Sequence, residues 1–221
     1  VGYDPAGQGR DANASVFADG NIIHTPDEWV KSPDLRVATR RAIDVARLNN
    51  AEDFVYDECG GFGDGVSVFA SDSISGNDWL HPQTDKQKAN GEEFYIPNAQ
   101  VHPSFTLGKK YRYPRINLNI VPFNAGDSIV VPDTDIIKDT KKSPQEIYCN
   151  QKAHAHGVFA QKCYNTYRFI VLGERGISFD DMVSFDIEDD DVWRKLSREM
   201  TTAVWVKSEN NSKKKVEPKK D

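Results

Sequence analysis

The chain has 221 residues and a mass of 24.9 kDa, the size of one domain or of one domain with a large insertion. Its 38% hydrophobic and 28% charged residues, with 4 Trp, 8 Tyr and 11 Phe to bury, exclude disorder throughout, and no apolar run approaches the roughly 18 residues a membrane span needs. A net charge of −6 means that any nucleic-acid binding comes from a local basic patch, or from metal ions bridging acidic residues to phosphates.

The opening VGYD is a short apolar strand, PAGQGRDAN a Gly-rich turn, and ASVFADG and NIIHT resume as strands. No signal peptide is expected ahead of them. Helical spacing then runs from Pro33 to Asn50. Leu35, Ala38, Ala42, Ile43 and Ala46 share one face, and Arg36, Arg40, Arg41 and Arg47 lie mostly elsewhere. Ser32 is the expected N-cap, with Pro33 at the first helical position. DFVYDEC is a second buried strand, and GGFGDGVSVFASDS a Gly turn entering a short helix. Residues 73–118 form a polar, irregular excursion, with a hairpin expected between Glu93–Ile96 and Lys109–Tyr113. INLNIVPFNAG returns to the sheet. A long helix is expected from Pro144 to about Leu172, capped by Ser143, then a turn and extended segment at SFDDMVSFD. A last helix, roughly Asp191–Val206, precedes a basic tail over 207–221. This order implies an α/β fold of mixed sheet direction, with helix 33–50 crossing over between parallel strands. The strands carrying Asp4 and Asp57 are then neighbours, or nearly so.

The strongest chemical feature is that pair of acids. Each ends its strand and faces a Gly-rich turn, and open α/β sheets gather ligands outside the carboxyl ends of their strands. Two carboxylates meeting there repel unless a cation or a shared proton intervenes. Oxygen-only ligation suits Mg²⁺ or Mn²⁺, and two such ions clamp the attacking and leaving oxygens of a phosphodiester. Asp11, across the turn from Asp4, can reach the same cluster. The competing reading of each Asp is a turn-former or N-cap. Gly60–Gly65 lacks the third glycine of GxGxxG and the Lys-Ser/Thr of a P-loop, so a nucleotide or S-adenosylmethionine loop is the weaker reading. His154 and His156, two apart on a helix, point about 200° apart and cannot easily share one metal; each reads first as a packed or surface His, with one facing the site as base or ligand the alternative. Cys59, Cys149 and Cys163 have no CxxC spacing and fit a reducing compartment, with Cys149 and Cys163 expected as buried helix residues. The acidic run Asp186–Asp191 reads as a helix-capping loop. The aromatics of 79–113, interleaved with Lys109, Lys110, Arg112 and Arg115, either contact DNA or pin the excursion to the body.

With these residues in view, the chain resembles the C-terminal nuclease domain of the tailed-phage terminase large subunit. The likeness rests on VGYDPAGQGRDANASVF, FVYDECGGFGDGV, NIVPFNAG, IYCNQKAHAHGVFAQKC and DDMVSFD followed by WRKLSREM, in that order. The resemblance implies an RNase H-like (RuvC-like) mixed sheet flanked by helices. It implies a single nuclease domain over 1–221, with 73–118 as an insertion or auxiliary arm. It also implies a two-metal Mg²⁺ or Mn²⁺ endonuclease that cleaves concatemeric double-stranded DNA. The family acids map to Asp4 and Asp57, with Asp11 as the accessory acid. The family's third acid lies in a late Ser-Pro-x-x-Ala-Asp-Ala-type motif, which does not occur here and is expected beyond Asp221. The partners implied are the ATPase domain of the same large subunit, the small terminase subunit and the portal, in the host cell cytoplasm during phage assembly and with no membrane. The rival readings are an S-adenosylmethionine- or nucleotide-binding α/β enzyme, a non-catalytic DNA-binding packaging module, and a Holliday-junction resolvase.

Overall fold

The computed structural model describes residues 1–6, 12–30, 32, 34–59, 63–91, 94–130, 141–208 and 213–217. Two compact units make up the chain: Val1–Ala18 with Pro26–Phe123, and Asp19–Thr25 with Asn124–Asp221.

The first unit begins with a hairpin. β1 (Gly2–Asp4) and β2 (Asn13–Val16) run antiparallel, with Tyr3 opposite Ser15. β3 (Ala18–Asp19) and β4 (Ile22–His24) lead into the second unit. β5 (Asp27–Trp29) returns to pair antiparallel with β2, a strand too short and polar for its alternation to register in the sequence. Helix α1 (Leu35–Leu48) is capped by Asp34, whose carboxylate accepts the Val37 N–H at 2.8 Å. The cap therefore sits two residues beyond the expected Ser32, because a carboxylate both reaches the exposed amide and answers the positive helix end. Pro33 lies outside the described residues. β6 (Asp53–Asp57) then pairs parallel with β1, so α1 is the crossover helix that the sequence implies.

Helix α2 (Gly63–Ser75) crosses to β9 (Asn119–Phe123), which pairs parallel with β6. The five-stranded order is β5-β2-β1-β6-β9. Tyr3, Trp29, Phe54 and Tyr56 of the sheet are buried against Ala38, Ala42, Ile43 and Ala46 of α1 and Val66 and Ala70 of α2. The alanines recur every four residues, which places small side chains along one stripe and lets the helix approach closely.

Between α2 and β9 lie β7 (Trp79–Leu80), α3 (Asp85–Ala89) and β8 (Tyr111–Arg112). The hairpin expected between residues 93–96 and 109–113 is not found among the described residues, from which Glu93 is absent: β8 pairs antiparallel with β7. Residues 94–96 are drawn instead toward α1, where the Tyr95 hydroxyl donates to Asp44. Arg36, Arg40, Asp44 and Arg47, which the helical pattern leaves off the apolar face, form a second stripe at spacings of four, four and three. Arg40 and Asp44 are buried. Arg40 Nε and Nη2 each donate to Asp78 at 2.6 Å, and Ser73 Oγ and Arg36 Nη1 add donors at 2.9 Å. His102 Nε2 lies 2.6 Å from Asp44 Oδ1, and its Nδ1 lies 3.0 Å from the Tyr111 hydroxyl. The excursion is irregular over most of its length, as expected, and is pinned by buried polar pairs and by the buried Tyr113.

In the second unit, β10 (Ser184–Asp186) pairs parallel with β4. The single helix expected from 144 to 172 is two: α4 (Pro144–Ile147) and α5 (Gln151–Ile170). Two caps compete within that stretch. Ser143 and Glu146 close a capping box on α4, while the Asn150 side chain accepts the Ala153 N–H at 2.9 Å and restarts the helix. Tyr148 is extended between them and bridges to Lys214. Cys149 lies in this break and is half-buried, not a buried helix residue; Cys163 is on α5 and is also half-buried.

Gly157 of α5 makes room for the Tyr148 ring, because a Cβ there would stand 2.3 Å from its hydroxyl oxygen. Gly157→Ala must displace the ring despite alanine's better helix propensity. We expect a net loss of about 1–3 kcal/mol, the usual scale of overpacking, read as a lower urea midpoint; an unchanged or higher midpoint overturns this reading of Gly157.

Helix α6 (Asp190–Thr201) is capped by Asp189, which accepts the N–H groups of Asp191 and Val192, as the acidic run suggested. It stops before the expected Val206, because β11 (Trp205–Lys207) pairs antiparallel with β12 (Lys214–Val216) of the basic run.

Candidate functional site

The parallel register of β1 and β6 decides where the two aspartates stand. Gly2 faces Val55 and Tyr3 faces Tyr56. The ladder ends at that pair, and the next residue of each strand is Asp4 on β1 and Asp57 on β6, so the two acids close neighbouring strands. Tyr3 and Tyr56 point into the core, so alternation turns Asp4 and Asp57 together to the opposite face. Both strands end here, at the carboxyl edge of the sheet. The same row continues across it, with Ala14 opposite Asp4, Glu28 opposite Ala14, and Phe123 opposite Asp57. Glu28 therefore shares the acidic face, two strands from Asp4; it lies on the short strand β5, which alternation alone did not reveal.

Asp4 is exposed and Asp57 half-buried. Asp57 Oδ1 accepts the Cys59 N–H at 2.8 Å, so one oxygen does serve as the turn-former of the competing reading. This bond also orients the carboxylate. Gly63, where α2 begins, has a packing reason for lacking a side chain: a Cβ would lie 2.8 Å from the Glu58 carbonyl oxygen and 2.5 Å from its Cγ. Gly60, Gly61 and Phe62, on which the choice between a tight turn and a phosphate cradle falls, lie outside the described residues. Asp11 lies outside the described residues. Among the described residues, no group of three or more His, Cys, Asp or Glu side chains converges as a metal cage.

Other polar clusters have structural employment. A cavity of about 420 Å³ is lined by Asp27, Arg41, Asp44, Leu48, Tyr95 and Ile96. Its charges are paired: Arg41 donates to both Asp27 oxygens at 2.8 and 2.9 Å, and Asp44 is held by His102 and Tyr95. Burial, then the Asp44 charge, push the Tyr95 hydroxyl far above its ordinary pKa, so it remains a donor. His154 packs against Tyr148, with ring centroids 5.7 Å apart, while burial and then Lys152 lower the His156 pKa. Among the described residues, no helix is long and apolar enough to cross a membrane.

An antiparallel β2–β1 hairpin extended by parallel β6 and β9, with helices as crossovers, is the RNase H-like mixed sheet that the resemblance implies. The fold is similar to that of the nuclease domain of the large terminase subunit gp2 of bacterial virus Sf6, with a TM-score of 0.71 at 20% identity, covering 98% of this chain and 76% of that one. A point-mutant form of that domain with manganese and beta-thujaplicinol gives the same score, covering 98% and 75%. A mutant form with calcium gives a TM-score of 0.66 at 20% identity, covering 98% and 75%. At such identity the shared property is the fold. No protein-family model and no curated protein sequence matches the chain.

Proposed function

We propose that residues 1–221 are the metal-dependent endonuclease domain of a viral DNA-packaging terminase, hydrolysing phosphodiester bonds of concatemeric double-stranded DNA. The observation that carries this reading is the register that brings Asp4 and Asp57 to one face at the carboxyl edge of the sheet. The donor set fits a hard divalent cation, because two carboxylates at one level repel each other unless positive charge lies between them. Manganese and calcium in structures of the Sf6 domain support a divalent ion. Asp4 and Asp57 would hold Mg²⁺ or Mn²⁺, with Asp11 assisting a second ion. Such ions supply Lewis-acid stabilisation of the phosphoryl oxygens and a water acidic enough to yield hydroxide near neutral pH. The chain's own part is to fix the carboxylates: the two strands set their separation, and the Cys59 N–H orients Asp57. The ATPase domain of the same large subunit, the small terminase subunit and the portal would be its partners, in the host cell cytoplasm during phage assembly.

Incubation of the purified protein with supercoiled, linear and four-way-junction DNA tests the reading. Nicking and linearisation of duplex in Mn²⁺ or Mg²⁺, abolished by chelator, is the expected result. Strong preference for the junction favours a resolvase instead. Duplex binding without cleavage at any Mn²⁺ concentration leaves only a non-catalytic DNA-binding module.

A further inference from the structure

We infer that the β7–β8 strand pair and the residues flanking β8 form an arm that grips the phosphates of duplex DNA. This inference rests on the nuclease reading for its partner and goes beyond it by naming the surface. Charge segregation is the first observation. The chain holds 34 Asp and Glu in 221 residues, yet residues 94–126 contain none, while Lys109, Lys110, Arg112 and Arg115 fall within seven positions. In a protein of net charge −6, this is the local basic patch that binding a polyanion requires.

The fate of the cations is the second observation. The arginines of α1 are consumed by carboxylates: Arg36 and Arg40 by Asp78, Arg41 by Asp27, and Arg47 beside Asp44. Lys109, Lys110, Arg112 and Arg115 are exposed, and none is ion-paired among the described residues. Two of them, Lys110 and Arg112, are nevertheless held. Arg112 Nε donates to the Gly76 carbonyl at 2.5 Å, and Arg112 sits opposite Trp79 in the β7–β8 register. Lys110 Nζ stands 4.2 Å from the Trp79 ring centroid, and the Arg112 guanidinium carbon 5.6 Å from it. Tyr113, the next residue, is buried, and its N–H donates to the Asp78 carbonyl at 3.1 Å. Cations carried on an anchored strand pair lose less entropy on meeting a phosphate than cations on a free tail.

The aromatics decide between duplex and single strand. A single-strand platform offers successive free rings for bases to stack on. Here His102, Phe105, Tyr111 and Tyr113 pack edge-on into one another, and Trp79 carries its two cations. What the arm presents is charge, which suits the phosphate backbone of a duplex.

The test is duplex affinity in chelator by fluorescence anisotropy over a salt series, with K109Q/K110Q/R115Q compared with wild type and with Asp57→Asn. The triple variant is expected to bind more than tenfold more weakly at low salt. Each phosphate left without its cation makes the slope of log affinity against log salt shallower by about 0.9. Asp57→Asn keeps the wild-type slope, and in cleavage assays the loss in the triple variant falls on KM. A wild-type slope in a folded triple variant of a protein that still cuts DNA overturns the arm and leaves the nuclease reading standing. An arm-dependent slope in a protein that never cuts supports the arm and removes the nuclease reading. Tighter binding to single strands than to duplex overturns the arm.

Discussion

Replacing Asp57 by Asn is expected to reduce metal-dependent cleavage of duplex DNA by about three orders of magnitude, and Asp4→Asn to do the same. Stabilisation of transition-state charge by a bound ion is worth several kcal/mol, and each 1.36 kcal/mol is tenfold in rate. The amide is isosteric, and its oxygen can still accept the Cys59 N–H that Asp57 accepts at 2.8 Å, so the turn into α2 is retained. What changes is charge alone. In chelator both variants should melt at or slightly above the wild-type temperature, since one of two like charges at the ends of neighbouring strands has been removed. Mn²⁺ should raise the wild-type melting temperature, by about 2.7 kcal/mol of stabilisation at a hundred times its dissociation constant. The same addition should leave either variant nearly unmoved. Cleavage at the wild-type rate, or a wild-type Mn²⁺ shift in both folded variants, removes these carboxylates from the metal site.

That pair was legible in the sequence because each acid closes a short alternating strand, and because a helix between two strands implies parallel pairing. Those are local signals, and the structure obeys them: β1 and β6 are neighbours, with Tyr3 beside Tyr56. The misplaced features depend on partners distant along the chain. Arg40 reads as a solvated position on an amphipathic helix, and nothing local says that a carboxylate 38 positions later will bury with it. Val204 falls inside the last helix expected from the sequence, but a strand pairing of Trp205 with Val216 outbids that local preference. The break between α4 and α5 was visible in principle. Ser143, Glu146 and Asn150 are capping residues on either side of it, and helical periodicity running through them masked the interruption. β5 gave no signal, since three residues flanked by Pro26 and Val30 carry too little alternation. Glu28 therefore enters the acidic face through the structure alone.

The second large effect concerns the clamp under the excursion. Asp78→Ala is expected to cost about 3–5 kcal/mol, because it strips the counterion from a guanidinium whose side chain is 7% exposed. Asp191→Asn, which breaks an exposed ion pair with Arg194, should leave the urea midpoint unchanged. Replacing both members of the buried pair with apolar side chains, as in R40M/D78L, should recover much of the loss, since the penalty is an orphaned charge rather than a missing attraction. Burial alone would raise the Asp78 carboxyl. The hydrogen bonds and charge of Arg40, aided by Ser73 and Arg36, outweigh it and hold the pKa below the ordinary value. A depressed folded pKa stabilises the protein above the unfolded value of about 3.9, and that stability drains away as pH falls through the folded value. Wild type should therefore lose stability progressively below about pH 4, and Asp78→Asn should lack this component of the acid limb. The clamp also carries the β7–β8 strand pair, for the Asp78 carbonyl accepts from Tyr113 and its carboxylate from the Trp79 N–H at 2.9 Å. Loosening it should weaken duplex binding together with stability, whereas K109Q/K110Q/R115Q weakens binding alone. A loss below about 1 kcal/mol for Asp78→Ala, measured by urea unfolding, would mean that water already reaches Arg40 and that the buried pair does not hold the excursion in place.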